Sequence, residues 1–273
     1  MALIEAVQRV TALTIAGSDS SGGAGLQADL RAFAALDVHG ASVVTLVTAQ
    51  GTRGVRVADP LRPELVGAQL DAVLSDLRPG AIKTGALGNA AVVEVIADRL
   101  RKLDATPLVL DPVINPTRGR TLLDDSGFTA FVNDLLPLAS LVVPNRSEAS
   151  RLAGVTVRTQ RQARAACQAI GALGAGAVYL KGGHFEGQEA VDLFFDGRDF
   201  HELRAPRLEV PPMHGLGCTL SAMMTALLAR GVPLAEAVDE AHTMMHAALR
   251  QPADVGEGLK VLGALQRPQK REA

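Results

Sequence analysis

The stretch VTALTIAGSDSSGGAGLQADLRAFAAL, residues 10–36, decides the fold. Val10–Ala16 is a short β-type run, Leu26–Leu36 repeats apolar residues at helical spacing, and the glycine-rich segment Gly17–Gly25 joins them. An apolar strand without strict alternation is expected to be buried on both faces. Turned directly into a helix, it is the opening half of a βαβ unit. Outward from it the same rhythm recurs. Strands are expected at Ser42–Thr48, Ala81–Thr84, Leu108–Asp111, Ser140–Pro144 and Ala177–Lys181. Helices are expected at Pro63–Leu77, Ala90–Leu103, Phe128–Leu136 and Thr159–Leu173. The pattern predicts an α/β protein with a central, mostly parallel sheet and helices on both faces. Further on, Ala190–Phe195 and Phe200–Arg204 flank Asp196-Gly197-Arg198, which reads as a hairpin. The last third is helical, over Thr219–Ala229 and Leu234–Leu249. No repeat or linker interrupts the chain, so 1–265 reads as a single domain and 266–273 as a polar, frayed tail.

Composition removes several function classes. The 273 residues carry 27 Lys and Arg against 29 Asp and Glu, a net charge of −2, with 48% hydrophobic residues, so the chain is globular rather than disordered. The balanced charge excludes a duplex nucleic-acid binder. Only 3% of residues are aromatic, with Tyr179 the one tyrosine and no tryptophan, which disfavours a base-stacking surface. The two cysteines, Cys167 and Cys218, form no CxxC pattern and suit a reducing, cytoplasmic setting. MALIEAVQRV lacks the basic and apolar regions of a secretion signal. No apolar run approaches the roughly 18 residues of a membrane span, so no membrane partner is expected.

In open α/β sheets ligands sit at the carboxyl ends of the strands. Those ends read Ala16-Gly17-Ser18-Asp19, Ala49-Gln50-Gly51-Thr52, Lys83-Thr84-Gly85, Asp111-Pro112, Pro144-Asn145 and Lys181-Gly182-Gly183. Glycine and polar residues gather at every one, as along the edge of a ligand cleft. Gly17–Gly25 has neither GxGxxG nor Walker A spacing, because Gly23-Ala24 stands where Lys-Ser/Thr is required. Its plain alternative is a strand-to-helix turn capped by Ser and Asp.

His214-Gly-Leu-Gly-Cys-Thr-Leu-Ser221 runs into an apolar helix. Gly215 and Gly217 at a helix start let backbone N–H groups converge on an anion, and with the helix dipole they can stabilise a phosphoryl group in flight. Cys218 sits at that helix mouth, where its thiol pKa is expected to fall and a thiolate can take a proton from an attacking hydroxyl. The competing interpretation is a small buried hydrophobe. Asp111 and Glu148, with Asn145 beside them, put oxygen ligands at neighbouring strand ends, which suits Mg²⁺. Glu148 equally fits a first-turn acid on a helix. Lys181 is placed to meet a nucleotide phosphate or, more simply, solvent.

Four segments, AGSDSSGGAGLQADL (16–30), VTAQGTRGV (47–55), LKGGH (180–184) and HGLGCTLSA (214–222), closely resemble the bacterial hydroxymethylpyrimidine/phosphomethylpyrimidine kinases of thiamine biosynthesis, in the ribokinase-like superfamily. LDPV (110–113) and PNRSEA (144–149) fit in the same order. The resemblance covers about residues 10–260. It implies a ribokinase-like single domain, a homodimer, and ATP with Mg²⁺ as cofactors. It also implies phosphorylation of 4-amino-5-hydroxymethyl-2-methylpyrimidine and then of its monophosphate. Cys218 matches the base position, and Gln50 matches the residue that hydrogen-bonds the aminopyrimidine. Gly17, Ala24 and Val113 match the pyrimidine pocket, with Asp19 beside them. Asp111, Asn145 and Glu148 match the magnesium and phosphate region, and Lys181 the nucleotide side.

The chain departs from that pattern at Leu216, where Thr is usual. It departs again at Asn115-Pro-Thr-Arg-Gly-Arg120, where Arg118 or Arg120 is expected to close over the phosphates or simply to keep a loop soluble. Ala86 stands where relatives often carry Met. Pyridoxal kinase is the near alternative, and a non-catalytic ligand-binding regulator on the same scaffold is the alternative from another class.

Overall fold

A computed structural model describes residues 8–103, 105–115, 121–182 and 188–265. The chain runs β1 (Thr11–Asp19), α1 (Gly25–Ala35), β2 (His39–Gly51), β3 (Gly54–Pro60), α2 (Pro63–Asp76), β4 (Ala81–Thr84), α3 (Ala90–Leu100) and β5 (Leu108–Leu110). It continues through α4 (Asp125–Ala130), β6 (Leu141–Val142), α5 (Arg146–Ala153), α6 (Gln160–Ala172), β7 (Val178–Leu180), β8 (Glu189–Phe195) and β9 (Phe200–Pro206). It ends with β10 (Met213–His214), α7 (Leu216–Ala229), α8 (Leu234–Ala248), β11 (Pro252–Ala253) and β12 (Lys260–Leu262).

Nine strands form one sheet in the order β3-β2-β1-β4-β5-β6-β7-β8-β9. From β2 across to β7 every neighbour is parallel, while β3, β8 and β9 add antiparallel edges. Two apolar cores result. One face packs α2, α3, α5 and α6 through residues such as Leu70, Ile96, Leu152 and Ile170. The other packs α1, α7 and α8 through Phe33, Met224 and Val238. The expected α/β architecture, a mostly parallel central sheet with helices on both faces, is therefore present. Among the described residues no helix is long and apolar enough to cross a membrane.

Local chemistry explains the departures from expectation. The helix expected over 128–136 starts earlier, because Asp124 accepts from Gly127 N–H at 2.6 Å. It then widens into a π turn over Phe131–Leu135 and a short 3₁₀ turn containing Pro137. Helix α7 begins at Leu216 rather than Thr219, so Gly217 and Cys218 lie inside its first turn. Helix α5 was not anticipated. It is fixed by a reciprocal capping box between Asn145 and Glu148 and stopped by Gly154 at φ +66°. Strand β3, also unanticipated, is a largely exposed edge strand. The last segment returns as a small sheet in which β12 pairs parallel with β10 and antiparallel with β11.

Candidate active site

The chain leaves β1 for β2 on one side and later enters β4 on the other. Between β1 and β4 the connections change direction, which is where open α/β sheets place a ligand, outside the strand ends. Asp19 closes β1, Gln50 lies near the end of β2, and Gly85 follows β4. Asp111, Asn145 and Lys181 follow β5, β6 and β7, and a parallel bridge joins Asn145 to Lys181. The sheet therefore brings the sequence-predicted residues to one edge.

Asp19 folds the glycine-rich segment after β1 into a hydrogen-bonded turn. Asp19 Oδ1 accepts from Ser21 N–H and Ser21 O–H, both at 2.8 Å, and Oδ2 accepts from Ala24 N–H at 2.8 Å. The turn also seats the entry to α7. A Cβ on Gly23 would stand 2.7 Å from His214 Cδ2. Gly215, at φ +79°, would thrust a Cβ to 1.9 Å from the Gly23 carbonyl oxygen. The two glycine segments thus pack directly on one another.

Cys218 projects from the first turn of α7, where backbone N–H groups have no partner within the helix. It is a free thiol and half-buried. The expectation of a lowered thiol pKa fails. Burial pushes the Cys218 thiol up to about 12, the Asp111 carboxylate adds to the rise, and the Lys83 ammonium and the Gly25 N–H only partly oppose it. The helix mouth alone does not overcome desolvation. Cys218 should accordingly react slowly with iodoacetamide at pH 8, on the order of 10²–10³-fold more slowly than a free thiol. The rate should climb about tenfold per pH unit through pH 10. Mass-spectrometric alkylation kinetics check this, and free-thiol rates at pH 8 would show a stabilised thiolate instead.

Beside it lies a charged cluster. Lys181 Nζ stands 3.5 Å from Asp111 Oδ1 and 3.9 Å from Glu148 Oε2. Burial opposes its charge, but the Asp111 and Glu148 carboxylates outweigh burial and hold the ammonium above its ordinary range. Asp111 Oδ2 accepts from Ser221 O–H at 3.2 Å. Burial pushes Glu148 up to about 7, with Lys181 pulling it down and Asp111 raising it. Glu148 and Asn145 are partly spent on the α5 cap. Glu148 Oε2 accepts from Asn145 N–H at 2.7 Å, and Asn145 Oδ1 accepts from Glu148 N–H at 2.9 Å. Glycine at 217 leaves room for all this, since a Cβ there would lie 3.1 Å from Lys181 Nζ and 3.8 Å from both Asp111 oxygens.

On the other side, the Gln50 side-chain amide is held at both ends. Its nitrogen lies 2.6 Å from His214 Nε2 and its oxygen 3.1 Å from Thr48 Oγ1. His214 Nε2 is also 3.0 Å from Asp19 Oδ2. Burial raises Asp19, but hydrogen bonds from His214, Ser21 and Ala24 outweigh it and hold the carboxyl below its usual range. Gly17 packs against Leu46 and Ala86, and Val113 packs on the same small apolar cluster. Ala24 is buried at the start of α1. Arg118, Arg120, Gly183 and His184 lie outside the described residues.

Three residues here escaped the sequence reading. Lys83 and Asp29 form an ion pair at 3.0 Å with both side chains 0% exposed, next to the thiol. Asp29 Oδ2 also accepts from Thr14 O–H at 2.6 Å, and Oδ1 has no partner among the described residues. His214 joins the β1 loop, the β2 end and α7. An acid on the buried face of α1 and a lysine inside an apolar strand were the available signals.

The model of a family described as phosphomethylpyrimidine kinase matches residues 19–262. A curated relative, the hydroxymethylpyrimidine/phosphomethylpyrimidine kinase of Rhizobium meliloti (strain 1021), is 48% identical over 250 residues, covering 90% of this chain and 94% of its own. Among solved structures, an ADP complex of Bacillus subtilis pyridoxal kinase superposes with a TM-score of 0.88 at 32% identity, covering 94% of this chain and 98% of that one. The phosphomethylpyrimidine kinase of Clostridium difficile 630 gives a TM-score of 0.78 at 35% identity, over 88% and 99% of the two chains.

Proposed function

Because the chain belongs to the phosphomethylpyrimidine kinase family, we propose that it transfers the γ-phosphoryl group of ATP to the hydroxymethyl oxygen of 4-amino-5-hydroxymethyl-2-methylpyrimidine, and then phosphorylates the monophosphate to the pyrophosphate, in thiamine biosynthesis. The observation that carries this reading is the gathering of Cys218, Lys181 and Asp111 around the glycine-bearing mouth of α7, whose preceding residue His214 touches Gln50.

The Gln50 amide offers a donor and an acceptor side by side, matching the amino group and adjacent ring nitrogen of the pyrimidine. Gly17, Ala24 and Val113 wall the ring, and Asp19 holds the loop that shapes that wall. The Cys218 thiol first gives its own proton to solvent; the substrate oxygen then attacks the γ-phosphorus, its proton passes to the Cys218 thiolate, and the bond from phosphorus to the β-bridging oxygen breaks to release ADP. The N–H groups of Gly217 and Cys218, together with Lys181, face the charge in transit. Burial is the first cause of the raised thiol and the Asp111 carboxylate the second, so a cation held by Asp111 would lower the thiol without removing the effect of burial. Asp111 and Glu148 offer oxygen donors only, a set that fits Mg²⁺, and they would hold it with Asn145 nearby. When bound, the ion supplies charge neutralisation at the phosphates.

We read residues 1–265 as one cytoplasmic domain, consistent with Cys167 and Cys218 both being free thiols. We also read the chain as a homodimer. Val47 and Val57, 48% and 50% exposed on the β2–β3 ribbon, supply an apolar surface for a second copy.

The likeness to pyridoxal kinase structures favours pyridoxal as a second substrate. Substrate-dependent ADP release tests both readings. The expected kcat/KM is higher for the pyrimidine alcohol than for pyridoxal. Pyridoxal winning would reverse the assignment, and binding without ADP release would leave a regulator.

A further inference from the structure

We propose that His214 is a specificity-determining positioning residue, one that fixes which end of the Gln50 amide faces which part of the pyrimidine. The inference rests on the aminopyrimidine reading above. It starts from a conflict at a single atom. His214 Nε2 lies 3.0 Å from Asp19 Oδ2 and 2.6 Å from the Gln50 amide. A carboxylate only accepts hydrogen bonds. Asp19 is held ionised by the turn that surrounds it, with Ser21 and Ala24 donating to it. The ring nitrogen facing it therefore carries a proton and donates.

An Nε2–H cannot also accept from an amide NH₂. The Gln50 group facing His214 must be the oxygen, which means the amide is turned end for end about its last bond; the two orientations have the same shape. That turn costs nothing on the other side. The amide nitrogen then donates to Thr48 Oγ1, and Thr48 remains free to donate to the Ser18 carbonyl at 3.0 Å. In this arrangement the single Nε2–H is shared between the Asp19 and Gln50 oxygens and no donor faces a donor, whereas in the reverse two donors meet.

The orientation has a chemical consequence. The free acceptor of Gln50 now lies on the His214 side and its free N–H on the Thr48 side. In the pyrimidine the amino carbon stands between the ring nitrogen and the carbon that bears the hydroxymethyl group. Pairing the amino group with the Gln50 oxygen and the ring nitrogen with its N–H sends the hydroxymethyl arm onward, past His214. The chain there continues directly into Gly215 and Cys218. With the amide reversed, the same two hydrogen bonds would aim the arm away from the thiol. His214 thus makes the pyrimidine's binding pattern and its reactive direction the same fact. A 4-oxo pyrimidine, with donor and acceptor exchanged, meets like against like.

The test is calorimetric binding without nucleotide, comparing the 4-amino alcohol with its 4-oxo analogue in the wild type, His214→Leu and His214→Gln. Steady-state kinetics with the 4-amino alcohol accompany it. The wild type should prefer the 4-amino compound. His214→Leu should narrow that preference at least tenfold and lower kcat as well as raise KM, because the freed amide admits unproductive poses. His214→Gln, which keeps an N–H at a similar reach, should restore most of the preference. An unchanged preference in a folded His214→Leu, or no rescue by glutamine, overturns the inference and leaves the kinase reading intact. A wild type that binds neither pyrimidine overturns that reading and the inference with it. Asp19→Asn guards against misfolding of the leucine variant: with its oxygen kept on Ser21 it turns an NH₂ donor toward His214, and should narrow the preference in the same direction; an unchanged preference there also counts against the inference.

Discussion

Cys218→Ala should slow phosphorylation of the pyrimidine alcohol by about 10²–10⁴-fold in kcat, the range in which a positioned proton acceptor contributes. The same variant should slow phosphorylation of the monophosphate by less than about tenfold. The two steps differ in one respect. The alcohol must lose a proton as its oxygen attacks, whereas the monophosphate already presents an anionic oxygen and needs no acceptor. Contacts to the transferring group are common to both, so any damage to the α7 mouth would fall on both equally. Equal losses would therefore assign Cys218 a packing role. Because the side chain is half-buried and small, truncation leaves the fold intact enough to measure. Cys218→Ser, which keeps the shape and loses the thiol's acidity, should resemble alanine. Single-turnover measurements with each purified substrate separate the steps.

Lys83→Met should destabilise the protein by about 3–5 kcal/mol, the usual cost of removing one partner from a buried ion pair. Burial disfavours charge on Lys83, and Asp29 more than compensates, holding the ammonium above its ordinary range. Burial also pushes the Asp29 carboxyl upward against the pull of Lys83. Alone, Asp29 would keep one bond from Thr14 and would face an apolar interior. The double change Lys83→Met with Asp29→Asn should recover most of the loss, because no uncompensated charge remains. Urea unfolding of the three variants measures this. A loss under about 1 kcal/mol in Lys83→Met would mean the pair is not ionised. The double variant removes both charges of the pair from the thiol's surroundings, Lys83, which draws it down, and Asp29, which raises it by less. In that background the thiol should titrate higher still.

Much of this was legible before any coordinates. The apolar runs at 81–84 and 108–110 sit within a residue of their expected bounds, because strands buried on both faces show little else. Gathering polar residues at the strand ends located Asp19, Gln50, Asp111, Asn145 and Lys181 along one edge. What was missed has physical reasons. Strand β3 is an edge strand whose valines are broken by Arg56 and followed by Asp59 and Pro60, so it shows no continuous apolar run. The Asn145-x-x-Glu148 spacing is a helix-start signal; Glu148 was weighed as a first-turn acid as well as a ligand, but without the Asn145 cap the bounds of α5 were not drawn. The thiol was misjudged because a helix terminus is visible in sequence and the depth of burial around it is not. Asp29 and Lys83 each broke an apolar pattern, but only the packing of α1 against β1 and β4 shows that each is the other's answer.

The seating of Gly215 on the Gly23 carbonyl means that two segments almost two hundred residues apart are machined as a single part. Neither loop can be transplanted, lengthened or randomised alone, since a side chain admitted on one side pries open the other. Attempts to redirect this enzyme toward new heterocycles therefore have to redesign both together, or leave both alone and alter the wall formed by Leu46, Ala86 and Val113.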